Sequence, residues 1–197
     1  MKYVVQYAEG FGREKYLLPM KQQIPELEII EDVDKCYLPD KGMKSAMYTY
    51  LRSIDFVEPF VRLEDDAILC SDFKRRAEEL ISKDPTCVHQ FFSLRESDRM
   101  AGSRYVAGSA FMTTVCIYLP ENMGHNIVRF FYDEWRESKR GLENPTGYDI
   151  LIADYLKKNR LKYFVNVPCL VQHAIEKSAI NPKRSSKRQT KMFVGED

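Results

Sequence analysis

Phe60-Val61-Arg62-Leu63-Glu64-Asp65-Asp66-Ala67-Ile68-Leu69-Cys70-Ser71-Asp72-Phe73 is the stretch on which the reading of the fold turns. Pro59 to Leu63 forms a short, mostly apolar strand that runs straight into three consecutive acids. An amphipathic helix follows from Ser71-Asp72, with Phe73, Ala77, Leu80 and Ile81 spaced to share its inner face. Strand, acidic turn and helix in that order are the repeating unit of an α/β sheet, and they put the acids at the carboxyl end of a strand.

The same alternation extends outward. Residues 2–8 read as a strand and Gly10-Phe11-Gly12 as a turn. A helix then runs from Arg13 to Gln23, and a strand covers Leu27–Ile30. Beyond Lys41-Gly42, Met43, Ala46, Met47, Tyr50, Leu51 and Ile54 recur at helical spacing as one apolar stripe. Thr86–Phe92 reads as a strand, polar Arg99–Tyr105 as a loop, and Val106–Tyr118 as the small-residue segment Gly108-Ser109-Ala110 leading into an apolar strand. Helices are expected over Asn122–Glu137 and Thr146–Lys158, and Leu161–Val167 as the last strand. The pattern predicts an α/β domain of Rossmann-like type, a mostly parallel sheet flanked by helices. No repeat and no domain boundary interrupts it. Residues 1–197 therefore read as one domain, with a polar, basic tail or lid from about 176 onward that carries Lys183, Arg184, Lys187, Arg188 and Lys191.

Composition narrows the classes. An apolar content of 44% and a charged content of 30% describe a globular chain, and a net charge of +1 makes any site for a polyanion local. The five cysteines are dispersed with no CxxC pair, as expected of reduced thiols. The N-terminal apolar run is too short for a signal peptide, and no stretch approaches the roughly 20 apolar residues of a membrane span. A cytoplasmic protein with no membrane partner is the expectation.

Acids at the carboxyl end of a sheet lie where open α/β sheets bind ligands. Carboxylate oxygens suit a hard cation such as Mn²⁺ or Mg²⁺, which can bridge protein and diphosphate, and a bound cation relieves the repulsion among adjacent carboxylates. The competing account is a solvated turn whose Asp66 or Asp72 favours a helix N-terminus.

VRLEDDAILCSDF, from Val61 to Phe73, resembles the strand-(L/Q)-(E/Q)-D-D-apolar-apolar-x-x-(D/E)-F signature of short GT-A glycosyltransferases, including bacterial and phage members. Gly147-Tyr148-Asp149 heading its helix, the run Pro168-Cys169-Leu170-Val171-Gln172-His173 and the closing RQTKMFVG, residues 188–195, are similar to the same group. Its usual P-x-L-V-Q-H-x-G has Ile175 where the glycine stands.

The resemblance implies a GT-A fold and a metal-dependent hexosyltransferase using a nucleotide sugar, UDP-linked by expectation, in a bacterial or phage-infected cytoplasm. It implies that Asp66 and His173 ligate Mn²⁺ or Mg²⁺ and that Glu64 or Asp65 contacts the donor. Asp149 becomes the candidate base that takes the acceptor proton. The residues themselves leave alternatives: His173 as a structural histidine at a strand end, and Asp149 as the acid of a Thr146-x-x-Asp149 capping box. Arg13 stands where the first loop meets the nucleotide, or is a surface arginine. Asp154 reads as a solvated-face residue and His89 as a packed one. Arg184, Arg188 and their lysine neighbours would clamp the donor diphosphate as a lid, track the phosphates of a DNA acceptor, or end the chain in solvent. Two other functions fit the same acids: a nucleotidyltransferase or metal phosphohydrolase, for which GFGREK is at best a faint phosphate loop, and a non-catalytic nucleotide-sugar or nucleic-acid binder.

Overall fold

A computed structural model describes residues 1–31, 42–144, 147–175 and 188–195. The chain opens with β1 (Lys2–Tyr7), α1 (Glu14–Gln23), β2 (Glu28–Glu31) and α2 (Gly42–Arg52). The acidic segment follows as β3 (Phe60–Glu64), β4 (Ala67–Leu69) and α3 (Phe73–Ile81). Then come β5 (Val88–Gln90), α4 (Glu96–Ala101), β6 (Arg104–Ala107) and β7 (Cys116–Leu119). The C-terminal part contains α5 (Met123–Phe130), α6 (Lys139–Glu143), α7 (Tyr148–Lys158), β8 (Lys162–Val165) and β9 (Val171–His173).

Among the described residues, seven strands form one sheet in the order β2-β1-β3-β7-β5-β8-β6, and β4 pairs with β9 in a separate ribbon. The pairings run β2, β1, β3, β5 and β8 one way and β7 and β6 the other, so the sheet is mostly parallel and Rossmann-like, as expected. Both faces are covered, which explains why the central strands read as nearly unbroken apolar runs. Alternate residues serve opposite layers. Val4 and Phe60 pack with α2, α5 and α7 through Tyr50, Leu51, Ile127 and Leu151, whereas Tyr3, Val5, Val61 and Leu63 pack with α1 and α3 through Met20, Phe73 and Ala77. No helix among the described residues is long and apolar enough to cross a membrane.

Three expectations are corrected. Arg99–Tyr105 is not a loop: α4 ends there on Gly102, whose φ of 71° suits glycine, and β6 begins two residues later. Its polar composition reflects an edge strand with only one face covered, on which Tyr105 packs edge-on against Phe164. Leu161–Val167 does supply β8, but among the described residues the last strand is β9. Three residues are too few to show a period, and β9 exists because β4 offers it a partner. Asp154 also departs from its expected solvated face, since it accepts from the Trp135 indole at 3.0 Å and pairs with Arg140 at 3.1 Å.

Candidate metal and donor site

β3 delivers Glu64 to the carboxyl edge of the sheet, and the chain then reverses through Asp65 and Asp66 into β4. Antiparallel pairing sets Ala67 opposite His173, and the Ala174 N–H donates to the Asp66 carbonyl at 2.9 Å. The ribbon therefore carries His173 onto the acidic turn. One ligand atom each from Glu64, Asp66 and His173 falls within 4.8 Å of the other two.

The three acids occupy different environments. Asp65 faces inward, accepting from the Ala8 N–H at 2.7 Å and from the Arg13 guanidinium. Burial drives its carboxyl up to about 6 against the pull of Arg13. It ties the first βα loop to the end of β3. Glu64 is partly open. Burial opposes its charge, but Arg62, His173, a bond from Thr114 and Arg188 outweigh that and hold the carboxyl well below the usual range.

Asp66 is almost fully buried. Desolvation raises its carboxyl, with Arg13, His173 and Arg188 acting against the rise. Its Oδ2 lies 3.1 Å from Arg13 and 3.6 Å from His173 Nε2. Its Oδ1 is buried with no hydrogen-bond partner among the described residues. A native protein seldom leaves a carboxylate oxygen in that condition. The His173 ring adds a second sign. Its Nδ1 stands 2.7 Å from the Ala174 carbonyl, which can only accept, so the ring proton resides on Nδ1. In the neutral ring Nε2 then presents a lone pair toward the Asp66 carboxylate. Two carboxylates and an imidazole suit Mn²⁺, and carbonyl fixing of the remote ring nitrogen is the usual support of a ligating histidine. The residues present fit a divalent cation.

The closing segment is docked rather than solvated at its described residues. Gln172 accepts from the Thr190 N–H at 2.8 Å and donates to the Thr190 carbonyl at 2.9 Å, and Cys169 bridges to Phe193. This brings Arg188 close enough for its charge to act on Glu64 and Asp66. Arg184, Lys183 and Lys187 lie outside the described residues, as do Cys36 and Thr146.

Asp149 sits in the first turn of α7, where it accepts from the Ile150 N–H at 3.1 Å; Gly147 is the N-cap. Its neighbour Tyr148 stacks on Tyr50 with centroids 4.3 Å apart, and the charges of Asp149 and Glu64 both reach the Tyr50 hydroxyl. Gly108 stands in a 3₁₀ turn against α7. His89 is packed, as expected, with Nε2 2.9 Å from the Asp84 carbonyl.

Two supports escaped the sequence reading. Arg62 is 1% exposed and braced by the Thr114 carbonyl at 2.6 Å and by the Gln6 side chain. Thr114 in turn donates to Glu64 at 2.7 Å. A charged residue inside an otherwise apolar strand was the available signal for Arg62.

No family model and no curated protein matches the chain. A solved structure described as a glucose-1-phosphate thymidylyltransferase from Bacillus anthracis, in complex with sucrose, overlays with a TM-score of 0.44 at 13% identity, covering 84% of this chain and 86% of that one. An overlay at that level says nothing about residues or chemistry.

Proposed function

We propose that this chain is a metal-dependent glycosyltransferase that moves a hexose from a nucleotide sugar, UDP-linked in the first instance, to an acceptor hydroxyl. The observation that carries this reading is the Asp66–His173 pair. Nε2 of His173 stands 3.6 Å from Oδ2 of Asp66, whose Oδ1 is buried with no hydrogen-bond partner among the described residues, and Glu64 completes a three-ligand set. The resemblance of residues 61–73 and 168–173 to short GT-A enzymes supports the choice of donor.

Glu64, Asp66 and His173 would hold Mn²⁺ or Mg²⁺. A bound divalent cation there neutralises charge building on the leaving diphosphate. Arg188, whose charge acts on Glu64 and Asp66, would add a guanidinium suited to phosphate oxygens. Arg184 is assigned to the same diphosphate clamp. Asp65 and Arg13 act one step back, fixing the first loop where the nucleotide would lie. Asp149 is assigned the acceptor proton.

The test is a panel of UDP-, GDP- and dTDP-sugars incubated with the protein and Mn²⁺, with release of free sugar and nucleoside diphosphate as the readout. Hydrolysis that EDTA abolishes and metal restores is expected, and addition of hydroxymethylated DNA or small sugars then identifies the acceptor. Release of pyrophosphate from a nucleoside triphosphate and a sugar phosphate would assign the same acids to nucleotidyl transfer instead. Donor binding that is indifferent to EDTA and to Asp66→Ala would mark a non-catalytic binder.

A further inference from the structure

Arg62 is an expensive residue to bury, since the charge must be satisfied inside the sheet. Its position on β3 points its side chain into the layer between the sheet and α2, where the guanidinium covers the Tyr50 ring at 4.7 Å. One terminal nitrogen donates to the Thr114 carbonyl at 2.6 Å and reaches Glu64 Oε1 at 3.4 Å, and the other donates to Gln6. Packing alone would be served better by leucine or methionine at this place. The longest of these contacts meets a bond from Thr114 on one carboxylate oxygen of Glu64. Thr114 Oγ1 donates to Glu64 Oε1 at 2.7 Å, and Arg62 approaches that same oxygen. Among the described residues, both bonds fall on Oε1 and none on Oε2.

The geometry points to Arg62 and Thr114 as positioning residues that clamp Glu64 by Oε1 and so present Oε2 to a divalent cation shared with Asp66 and His173. Donors on one oxygen fix the carboxylate's rotation, keep it ionised and leave a single oxygen for ligation. Thr114 comes from the loop before β7, the antiparallel strand beside β3, so β7 contributes to the site as well as to the sheet. Arg62 spans the two, because it holds the Thr114 carbonyl while reaching Glu64.

This inference rests on the metal reading and goes beyond it to residues that touch neither metal nor substrate. The experiment measures Mn²⁺ affinity of the full chain by titration calorimetry and by loss of the free Mn²⁺ paramagnetic signal, with no donor present. Thr114→Val removes one hydroxyl at constant shape and is expected to weaken Mn²⁺ about tenfold or more. Arg62→Met should do the same and Arg62→Lys less, because the charge remains while the forked contacts are lost. In a Glu64→Ala background, Thr114→Val should have no further effect, since its route to the metal is gone. Unchanged Mn²⁺ affinity in Thr114→Val, or an equal loss with and without Glu64, overturns the clamp while leaving the metal site standing. Absence of Mn²⁺ binding by the unmodified protein removes the metal reading and the clamp together. Thr114→Val keeps the test decisive if Arg62→Met does not fold.

Discussion

Asp66 and His173 are joined by backbone before they are joined by chemistry: the Ala174 N–H donates to the Asp66 carbonyl at 2.9 Å, and Nε2 of His173 stands 3.6 Å from Oδ2 of Asp66. The β4–β9 ribbon fixes that separation, so the pair is preorganised rather than assembled by a ligand. If a cation joins them, replacing either partner removes a ligand without disturbing the ribbon. Asp66→Asn and His173→Gln are each expected to weaken Mn²⁺ by about 10- to 100-fold. Metal-dependent donor hydrolysis should fall by two orders of magnitude or more, since metal stabilisation of a transition state is worth about several kcal/mol. Titration of Mn²⁺ beside a hydrolysis assay checks both. Wild-type affinity in the His173 variant would return that histidine to a purely structural role.

Asp65 is expected to behave in the opposite way from its neighbour. It is buried against Arg13 and the Ala8 N–H, so Asp65→Ala removes one side of a buried ion pair, with Asp66 still 3.1 Å from the guanidinium. Breaking one side of such a pair costs about 3 kcal/mol or more. Thermal melts should show that loss in Asp65→Ala, while Mn²⁺ affinity of the folded variant changes far less than in Asp66→Asn. Equal stability of the two variants would contradict the division of labour.

The tail offers a third check. Gln172 grips Thr190 by two backbone bonds, at 2.8 and 2.9 Å, and so anchors the segment that carries Arg188. At about 1 kcal/mol for each bond, Gln172→Ala should raise the opened population of residues 188–195 about thirtyfold. Trypsin cleavage after Arg188 and Lys191 should accelerate accordingly, with the rest of the domain intact. Affinity for a nucleoside diphosphate should fall with it, because Arg188 leaves the acids. Fast cleavage with unchanged affinity would assign the tail no part in holding phosphate.

What could be read in advance follows from where the physics is local. β1, α1, α2, β3, α3 and α7 carry their own periodicity, and Val61, Leu63, Phe73 and Ala77 show it because each faces one layer. Glu64-Asp65-Asp66 was visible as a cluster, yet its unequal roles were not. Asp65 turns inward only because Arg13 and Ala8 come back from β1 and α1. β6 and β9 are too short or too polar to declare themselves and are defined by their partners β8 and β4. The antiparallel direction of β7 is likewise a property of the crossover, not of Cys116–Leu119 themselves. Arg62 and Thr114 make their bond across two strands, and nothing in either segment names the other.

Gly108 is where a close approach, rather than an unusual φ, demands glycine. A Cβ added there would lie 2.3 Å from Leu156 Cβ and 2.7 Å from the Leu161 carbonyl, both fixed parts of α7 and its exit. Neither neighbour can swing aside as a flexible side-chain tip would. Gly108→Ala is therefore expected to destabilise by about 1–3 kcal/mol through overpacking. That corresponds to a fall in melting temperature of about 3–10 °C for a domain of this size. A melt within a degree of wild type would mean that the turn and α7 separate easily.

His89 supplies the pH prediction. It is 1% exposed, with Nε2 2.9 Å from the Asp84 carbonyl and rings of Phe91, Tyr118 and Phe164 around it. Burial lowers its pKa from 6.5, and the bond to Asp84, the bond to Asn166 and the Asp84 charge only partly offset that. The unfolded chain therefore binds a proton at this residue more readily than the folded one. Its contribution is fully present above pH 6.5 and is lost as pH falls from there toward the lower folded value. His89→Gln can still donate a bond to the Asp84 carbonyl but cannot titrate. Its melting temperature should therefore fall less steeply than that of the wild type between pH 7 and 5, even if it starts lower. Asp84, whose carboxyl is held low by bonds from Tyr105 and Thr86, remains ionised through that interval and contributes equally to both proteins. Parallel melting curves for the two across the interval would show that His89 does not carry the acid sensitivity.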